Sequence, residues 1–490
     1  MKLSINRTPI LITPDFKRVF ARYFFYGEER ALGVIEKVLD APESSVEHIV
    51  KDILRDFSRR HRRISNIFLK NYNRVKYIIE QLDIDPDTLP EWRKLLIGAY
   101  FTMEYSIESA ALFNPSIVEA PDQSDLQEGQ KRLIISFRAT GEGHISSLVF
   151  RRLLLDGDTI QLLPSGTFID EAEVIKGAML NKKEFEKILG QMNINKSLYE
   201  EVFDVLPDTF SYSDLKPLVN EYFEKNNLSL EEEKTLNELR WLAKSFVDIK
   251  FSLDTDISER VIFPLSKYEM KGIEDARFVK FFNEDGSSTY YATYTAYDGF
   301  SIMPKLLETK DFYHFNIRPV HGKYAIDKNL ALFPEKINGK YAMISRIDGV
   351  NTYIMFSDNI CCWDEEAILL LRPEYYWEIV QIGNGGSPIK TPEGWLLITH
   401  GVGPMRKYCL GAYLLDLKNP TKVLGRLEEP LLIPTEEERE GYVPNVVYTC
   451  GSYLNDKTLI IPYAISDYAS KIATIPLDQL ITKILENPGK

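Results

Sequence analysis

From Phe251 to about Thr474 the apolar positions fall in short runs of strand length. Runs at 290–295, 341–345, 395–400 and 446–450 begin about 50 residues apart, and each has a second run close behind it, such as 352–356, 410–415 and 459–463. Short strands at this period match a propeller with one four-stranded blade per repeat, whereas a β-sandwich leaves the long period unexplained. The run at 133–137, with 145–150 as partner and Gly141-Glu142-Gly143 as the turn, adds an earlier blade. The expected fold class is therefore mainly β: a five-bladed β-propeller over residues 106–490, with an N-terminal helical region and a helical insertion.

Those two helical parts carry a different period. In residues 1–105, Val46, Val50, Ile53 and Phe57 recur at helical spacing behind Ser44-x-x-Glu47, a capping-box pattern, and Trp92, Leu95, Leu96, Ala99 and Met103 form another stripe. The basic run Ser58-Arg59-Arg60-His61-Arg62-Arg63 reads as a solvated helix end. A helical insertion is expected at about 168–247, where Ser229-x-x-Glu232 opens a stripe of Leu236, Leu239, Leu242 and Phe246. Neither part has an assigned function. Each could cap a pocket, build a homo-oligomer or only add stability.

Composition narrows the partners. A net charge of −13 argues against a nucleic-acid partner. No window reaches the ~18 unbroken apolar residues of a membrane span, and Met1-Lys2-Leu3-Ser4-Ile5-Asn6-Arg7 lacks the apolar core of a signal peptide. Cys361, Cys362, Cys409 and Cys450 have no C-x-x-C spacing and read as reduced thiols in a cytoplasm. The six histidines have no metal-ligand spacing, and the glycine-rich stretch 383–386 has neither Walker nor dinucleotide-binding spacing, so neither a metal nor an organic cofactor is expected.

The candidate chemistry centres on Lys271-Gly272-Ile273-Glu274-Asp275-Ala276-Arg277, followed by a strand, a turn and the aromatic strand that ends Tyr297-Asp298-Gly299. A carboxyl at a strand mouth is fixed by the backbone, and a neighbouring Arg tunes its charge. By spacing alone the pair also fits a surface hairpin with a solvated ion pair. Asn114, Arg138, Glu142, His144, Lys328, Asn329, Arg346 and His400 lie at corresponding places in other blades, as does Tyr442-Val443-Pro444-Asn445. Taken singly, each has an ordinary structural explanation.

Taken together, these stretches resemble glycoside hydrolase family 130. The resemblance rests on Gly272-Ile273-Glu274-Asp275-Ala276-Arg277, on 291–299, and on blocks at 332–341, 387–403, 411–416 and 441–447. Ala276 stands where the family usually has Pro. The resemblance implies a five-bladed propeller that cleaves β-mannosides with inversion, most often by phosphorolysis to mannose 1-phosphate. It implies Asp275 as general acid. Asn114, Arg138, Glu274, Arg277, Tyr297 and Asp298 would hold the sugar, and Lys328, Arg346 and His400 would hold phosphate, a co-substrate. A phosphate attacker brings its own charge, so such a site needs cations rather than a protein base. Many phosphorylases of the family carry an arginine just past the match to Gly299, where this chain reads Phe300-Ser301-Ile302. That departure motivates an alternative, an inverting β-mannosidase, whose base would be Glu142 or Glu378. A further alternative is a non-catalytic sugar-binding propeller.

Overall fold

Strands rich in Val, Ile, Thr and Tyr turn alternate side chains into shared cores and form a chain that is mainly β with some helices. This structure, a computed structural model, describes residues 3–488 except 176–177, 192–193, 195, 226–227, 266–268 and 298–301. Among the described residues five antiparallel runs of strands, or units, follow one another along the chain, beside two small two-stranded sheets; the first two units belong to one twelve-stranded sheet, joined where Gly272 pairs parallel with Ser146.

The first unit comprises Ala111–Glu119, Gln130–Thr140, Ser146–Asp156 and Thr159–Leu162. The second comprises Gly272–Phe282, Ser288–Tyr297, Ile302–Thr309 and His314–Pro319. The third runs from Ala331–Leu332 through Tyr341–Ser345 and Thr352–Ser357 to Ile368–Leu371. In the fourth, Gln381–Asn384, Trp395–Val402, Tyr408–Leu415 and Val423–Arg426 pair in order. The fifth places Val447–Tyr448 beside Thr458–Ile465 and Ala469–Pro476, and its outer strand is Asn6–Ile12 from the start of the chain.

Each unit is hydrogen-bonded to the next. Phe278 N donates to Ser116 Oγ (2.9 Å), Phe282 N to Pro334 O (2.8 Å), Ile382 N to Val350 O (2.9 Å) and Tyr408 N to Asn445 O (3.0 Å). The fifth unit returns to the first, where Cys450 N donates to Pro115 O (2.8 Å) and Leu112 N to Tyr468 O (2.9 Å). The links between second and third strands therefore come to one end of the molecule. Those described are Glu142–His144, 346–351, 403–407 and 466–468.

The N-terminal region differs from its all-helical reading. Asn6–Ile12 belongs to the fifth unit, and Val19–Tyr23 pairs with Thr102–Ser106. Between them, Glu28–Asp40, Glu43–Phe57, Ile64–Glu80 and Glu91–Tyr100 close a core around Val46, Val50, Phe68, Val75, Leu95 and Leu96. The Ser44 capping box does not form. The helix begins at Glu43 behind Pro42 with no side-chain cap, and Glu43 supplies the favourable charge of the first turn. The basic run is solvated only in part: Ser58, Arg59, Arg60 and Arg63 are exposed and His61 is buried. Arg60 pairs with Glu104 (2.7 Å), as does His61 (2.6 Å), while Arg62 reaches Glu259 (2.7 Å) and so joins the helices to the β region.

The insertion is mixed. Helices Lys182–Gln191, Glu200–Val205, Tyr212–Lys225 and Leu230–Ser245 share a core of Phe185, Phe203, Phe210, Leu236, Leu239 and Leu242. The Ser229–Glu232 capping box forms as expected. Short strands Glu173–Ile175 and Val247–Lys250 extend the second unit at its outer edge. No described helix is long and apolar enough to cross a membrane.

Candidate active site

Two inner strands carry matching irregularities. The pairing of Gly272–Phe282 slips between Glu274 and Arg277, and that of Ala111–Glu119 slips between Phe113 and Ser116. At these bulges Asp275 (φ 55°) and Asn114 (φ 49°) take the left-handed conformation, which Asn and Asp tolerate better than other side chains. The bulges turn the two side chains toward each other, and Asn114 Nδ2 donates to Asp275 Oδ1 at 2.6 Å. Gly272 (φ 135°) is required just before them. A Cβ there would stand 2.6 Å from Ser146 Cβ, where the first and second units touch.

Charged groups surround this pair. Arg138 donates to Glu274 Oε1 (2.8 Å) and lies 3.8 Å from Asp275 Oδ1. Lys328 Nζ donates to Glu274 Oε2 (2.8 Å) and sits 5.5 Å from the centre of the Tyr297 ring. Burial alone would raise the pKa of Asp275. Arg138, Arg277, the Asn114 hydrogen bond and Lys328 outweigh it and hold the carboxyl below its ordinary range. Asn114 Oδ1 is buried with no hydrogen-bond partner among the described residues, which leaves an acceptor for a ligand, and the buried Arg346 Nε has only the Asp327 carboxylate, at 3.8 Å.

A second layer lies beneath. Arg277 is 2% exposed and spends its guanidinium on the Asp275 carbonyl (2.8 Å), Asn384 Oδ1 (2.9 Å) and the Tyr448 hydroxyl (2.7 Å). It thus fixes the Asp275 backbone from below. Asn329 Nδ2 also donates to Tyr448 (3.2 Å), and Asn384 N donates to Asn329 Oδ1 (2.7 Å). His400 is buried against the Tyr448 ring (4.8 Å between centres), with Nδ1 3.0 Å from the Asn384 carbonyl. A carbonyl can only accept, so Nδ1 carries the proton. Burial, then Arg346 and Arg277, push His400 well below its usual range, so it is a neutral imidazole. Gly383 permits this packing, since a Cβ there would meet His400 Cε1 at 2.6 Å.

The described residues expected from the sequence thus meet in one cluster: Asn114, Arg138, Glu274, Asp275, Arg277, Tyr297, Lys328, Arg346 and His400. Asp298 lies outside the described residues, as do Phe300 and Ser301. The two carboxylates named as hydrolytic bases have contrasting surroundings. Glu142 is exposed on its turn. Glu378 is fully buried, taking hydrogen bonds from the Glu374 and Tyr375 backbones and pairing with Arg426. Among the described residues no group of three His, Cys, Asp or Glu is placed to hold a metal.

The sequence reading missed Asp467, Tyr448 and Arg406, and it offered Asn384 only within the glycine-rich stretch 383–390, without a role. Asp467 (φ 51°) sits on the link between second and third strands of the fifth unit. Burial, then the Asp275 charge, push its carboxyl up to about 6, against the pull of Arg138 and Arg406. Arg346, on the equivalent link of the third unit, was found from the sequence. Carrying that position through the repeat would have found Asp467 and Arg406 as well.

Asn114, Glu274 and Arg138 offer hydrogen-bonding groups to a hydroxyl-rich ligand, and Lys328 and Arg346 add positive charge to the cluster. A family model described as beta-1,4-mannooligosaccharide phosphorylase matches residues 241–486. The chain is 37% identical over 224 residues to a 1,2-beta-oligomannan phosphorylase of Thermoanaerobacter sp. (strain X514), covering 44% of this chain and 72% of that protein. It is 30% identical over 303 residues to the beta-1,2-mannobiose phosphorylase of Listeria innocua serovar 6a, covering 59% of this chain and 80% of that protein. It also aligns with the solved structure of the Listeria innocua enzyme in complex with beta-1,2-mannobiose (TM-score 0.45, 22% identity, 78% of this chain and 93% of that one). The chain belongs to glycoside hydrolase family 130.

Proposed function

We propose that this protein is an inverting β-mannoside phosphorylase that releases mannose 1-phosphate. Asp275 gives its proton to the departing glycosidic oxygen while a phosphate oxygen attacks the anomeric carbon from the opposite face. The C–O bond to the leaving sugar breaks, the C–O bond to phosphate forms, and no protein nucleophile takes part. Asn114, Arg138 and Glu274, with Tyr297 and Asp298, hold the mannosyl unit. Lys328 and Arg346 hold phosphate, and His400 supports them as a neutral group. Arg277 positions Asp275 through its backbone.

The observation that carries this reading is the joint placement of Asp275 and Lys328 around Glu274, with Arg138 beside them. The surrounding cations hold the Asp275 carboxyl in its ionised form. A phosphate anion offsets their charge and lets the carboxyl take up the proton it must deliver. The relatives named as mannoside phosphorylases support the substrate and the co-substrate.

The five units make a five-bladed propeller over 106–490, to which the strand Asn6–Ile12 adds. Residues 1–105 otherwise form the helical region, and about 168–247 the insertion. The circular run of hydrogen bonds from each unit to the next, and from the fifth to the first, supports this reading. The four cysteines form no disulfide among the described residues, which suits a reducing cytoplasm.

The test is an assay of β-mannosides with and without inorganic phosphate. Mannose 1-phosphate is expected only when phosphate is present. Free mannose released at the same rate in its absence overturns phosphorolysis in favour of hydrolysis.

A further inference from the structure

The insertion remains without a role. Its last strand, Val247–Lys250, is paired residue by residue with the outer strand of the second unit, Val247 opposite Ile317 and Lys250 opposite His314, so the inserted helices are fixed to the unit that carries Asp275. Between helix Leu230–Ser245 and this unit lies a cavity of about 650 Å³, lined by Tyr212, Asn237, Trp241, Lys244, Phe246 and Met303 among others. That volume falls within the ~300–1,000 Å³ typical of sites for small organic ligands.

Its position relative to the acid can be read from the strand register. Ile273, the residue before Glu274, pairs with Ala296, and Ala296 pairs with Met303. Neighbouring strands lie ~4.8 Å apart, so Met303 on the cavity wall is about 10 Å across the sheet from Ile273. Both are at the end of the sheet where Asp275 stands. A short sugar chain extending from the acid covers that distance in a couple of rings.

The lining suits a sugar. The helix buries Leu236, Leu239 and Leu242 in the insertion's own core, while the partly buried Trp241 also faces the cavity. An indole offers a flat apolar surface to the C–H face of a pyranose. Asn237 is exposed at the same cavity, and the Lys244 ammonium lies 5.1 Å above the Tyr212 ring, which places amide and ammonium donors beside aromatic surface. A few polar groups against a mainly apolar wall are what orient a neutral hydroxylated ligand.

We propose that the insertion forms a distal subsite for the far end of an oligomannoside, so that the enzyme prefers chains longer than the disaccharide. This rests on the phosphorolysis reading above. The test compares kcat/KM for a β-mannobiose and for longer β-mannooligosaccharides in the wild type, Trp241→Ala, Trp241→Phe and Asn237→Ala. It is joined to a titration of the same oligosaccharides by calorimetry without phosphate. The expected result is that Trp241→Ala lowers kcat/KM on the longer chains about tenfold and leaves the disaccharide within twofold, with Trp241→Phe in between. Oligosaccharide affinity should fall with it. Equal losses on all chain lengths, or none, overturn the subsite. If no β-mannoside is turned over with phosphate, phosphorolysis fails by itself. The subsite then stands if oligosaccharide binding is lost in Trp241→Ala and falls if binding is unchanged or absent.

Discussion

Two buried charge clusters in this molecule use the same kinds of side chain and differ in one respect. At the seam between the N-terminal segment and the first unit, Glu108 lies between Arg18 (2.7 Å) and Arg151 (2.6 Å), with side-chain exposures of 0%, 6% and 6%. At the candidate site, Glu274 and Asp275 lie among Arg138 and Lys328, whose side chains are 21% and 34% exposed, and Asp275 itself is 16% exposed. In the closed cluster two guanidiniums share one carboxylate inside the fold, and it holds two segments together. The open cluster presents a cation and an acid to whatever enters. Chemistry belongs to the cluster that leaves room and donors for a ligand, and a pattern of Arg, Lys, Asp and Glu alone cannot separate the two.

The comparison breaks most sharply at its two carboxylates. Asp275→Asn removes the proton donor and should lower kcat by about 10²–10⁴-fold, the range of general-acid contributions, while the melting temperature stays close to wild type. Glu108→Gln should do the reverse. Losing the shared partner of two buried arginines should cost about 3–5 kcal/mol of stability in denaturant titrations, with kcat per folded molecule unchanged. If Glu108→Gln abolished turnover in the folded protein, the division between the clusters would be wrong.

Smaller effects sharpen it. Lys328→Ala should raise KM for phosphate about ten- to a hundredfold, the value of a hydrogen bond to a charged group, and leave the affinity for the mannoside nearly intact. Asp467 gives a pH signature. Its folded value of about 6 stands above the ordinary 3.8, so between these values the folded state holds the extra proton. Its contribution to stability is present at low pH and lost as pH rises through about 6. Melting curves of Asp467→Asn against wild type should therefore show a larger gain at pH 7.5 than at pH 4.5. The smallest effect is expected at Ser229→Ala, which removes the cap of the insertion's last helix. About 1 kcal/mol of stability should be lost, with disaccharide turnover unchanged.

Much of the β architecture was legible because strand runs with a long period leave few arrangements. The Ser229 cap and the stripe of Leu236, Leu239 and Leu242 were legible for a local reason, since capping and helical spacing act within one element. The failures were long-range. The partner of Asn6–Ile12 is some 460 residues away, beyond any periodicity reading. Arg60 and Arg62 found carboxylates on distant segments, so a run that looked solvated is in part a seam. At the site, Asp275 and Lys328 carried a family resemblance, whereas Asp467 lies in Ser466-Asp467-Tyr468, which reads as an ordinary turn. His400 was found, but not its neutral state, which depends on burial and on Arg346 and Arg277.

The central claim is that the open cluster is where phosphate meets the acid. It is tested most directly by a crystal structure of Asp275→Asn soaked with phosphate and a β-mannobiose. The account predicts a phosphate anion within hydrogen-bond distance of Lys328 and Arg346, on the far side of the anomeric carbon from residue 275. A mannoside bound there with water in place of phosphate, and phosphate held elsewhere, would contradict it.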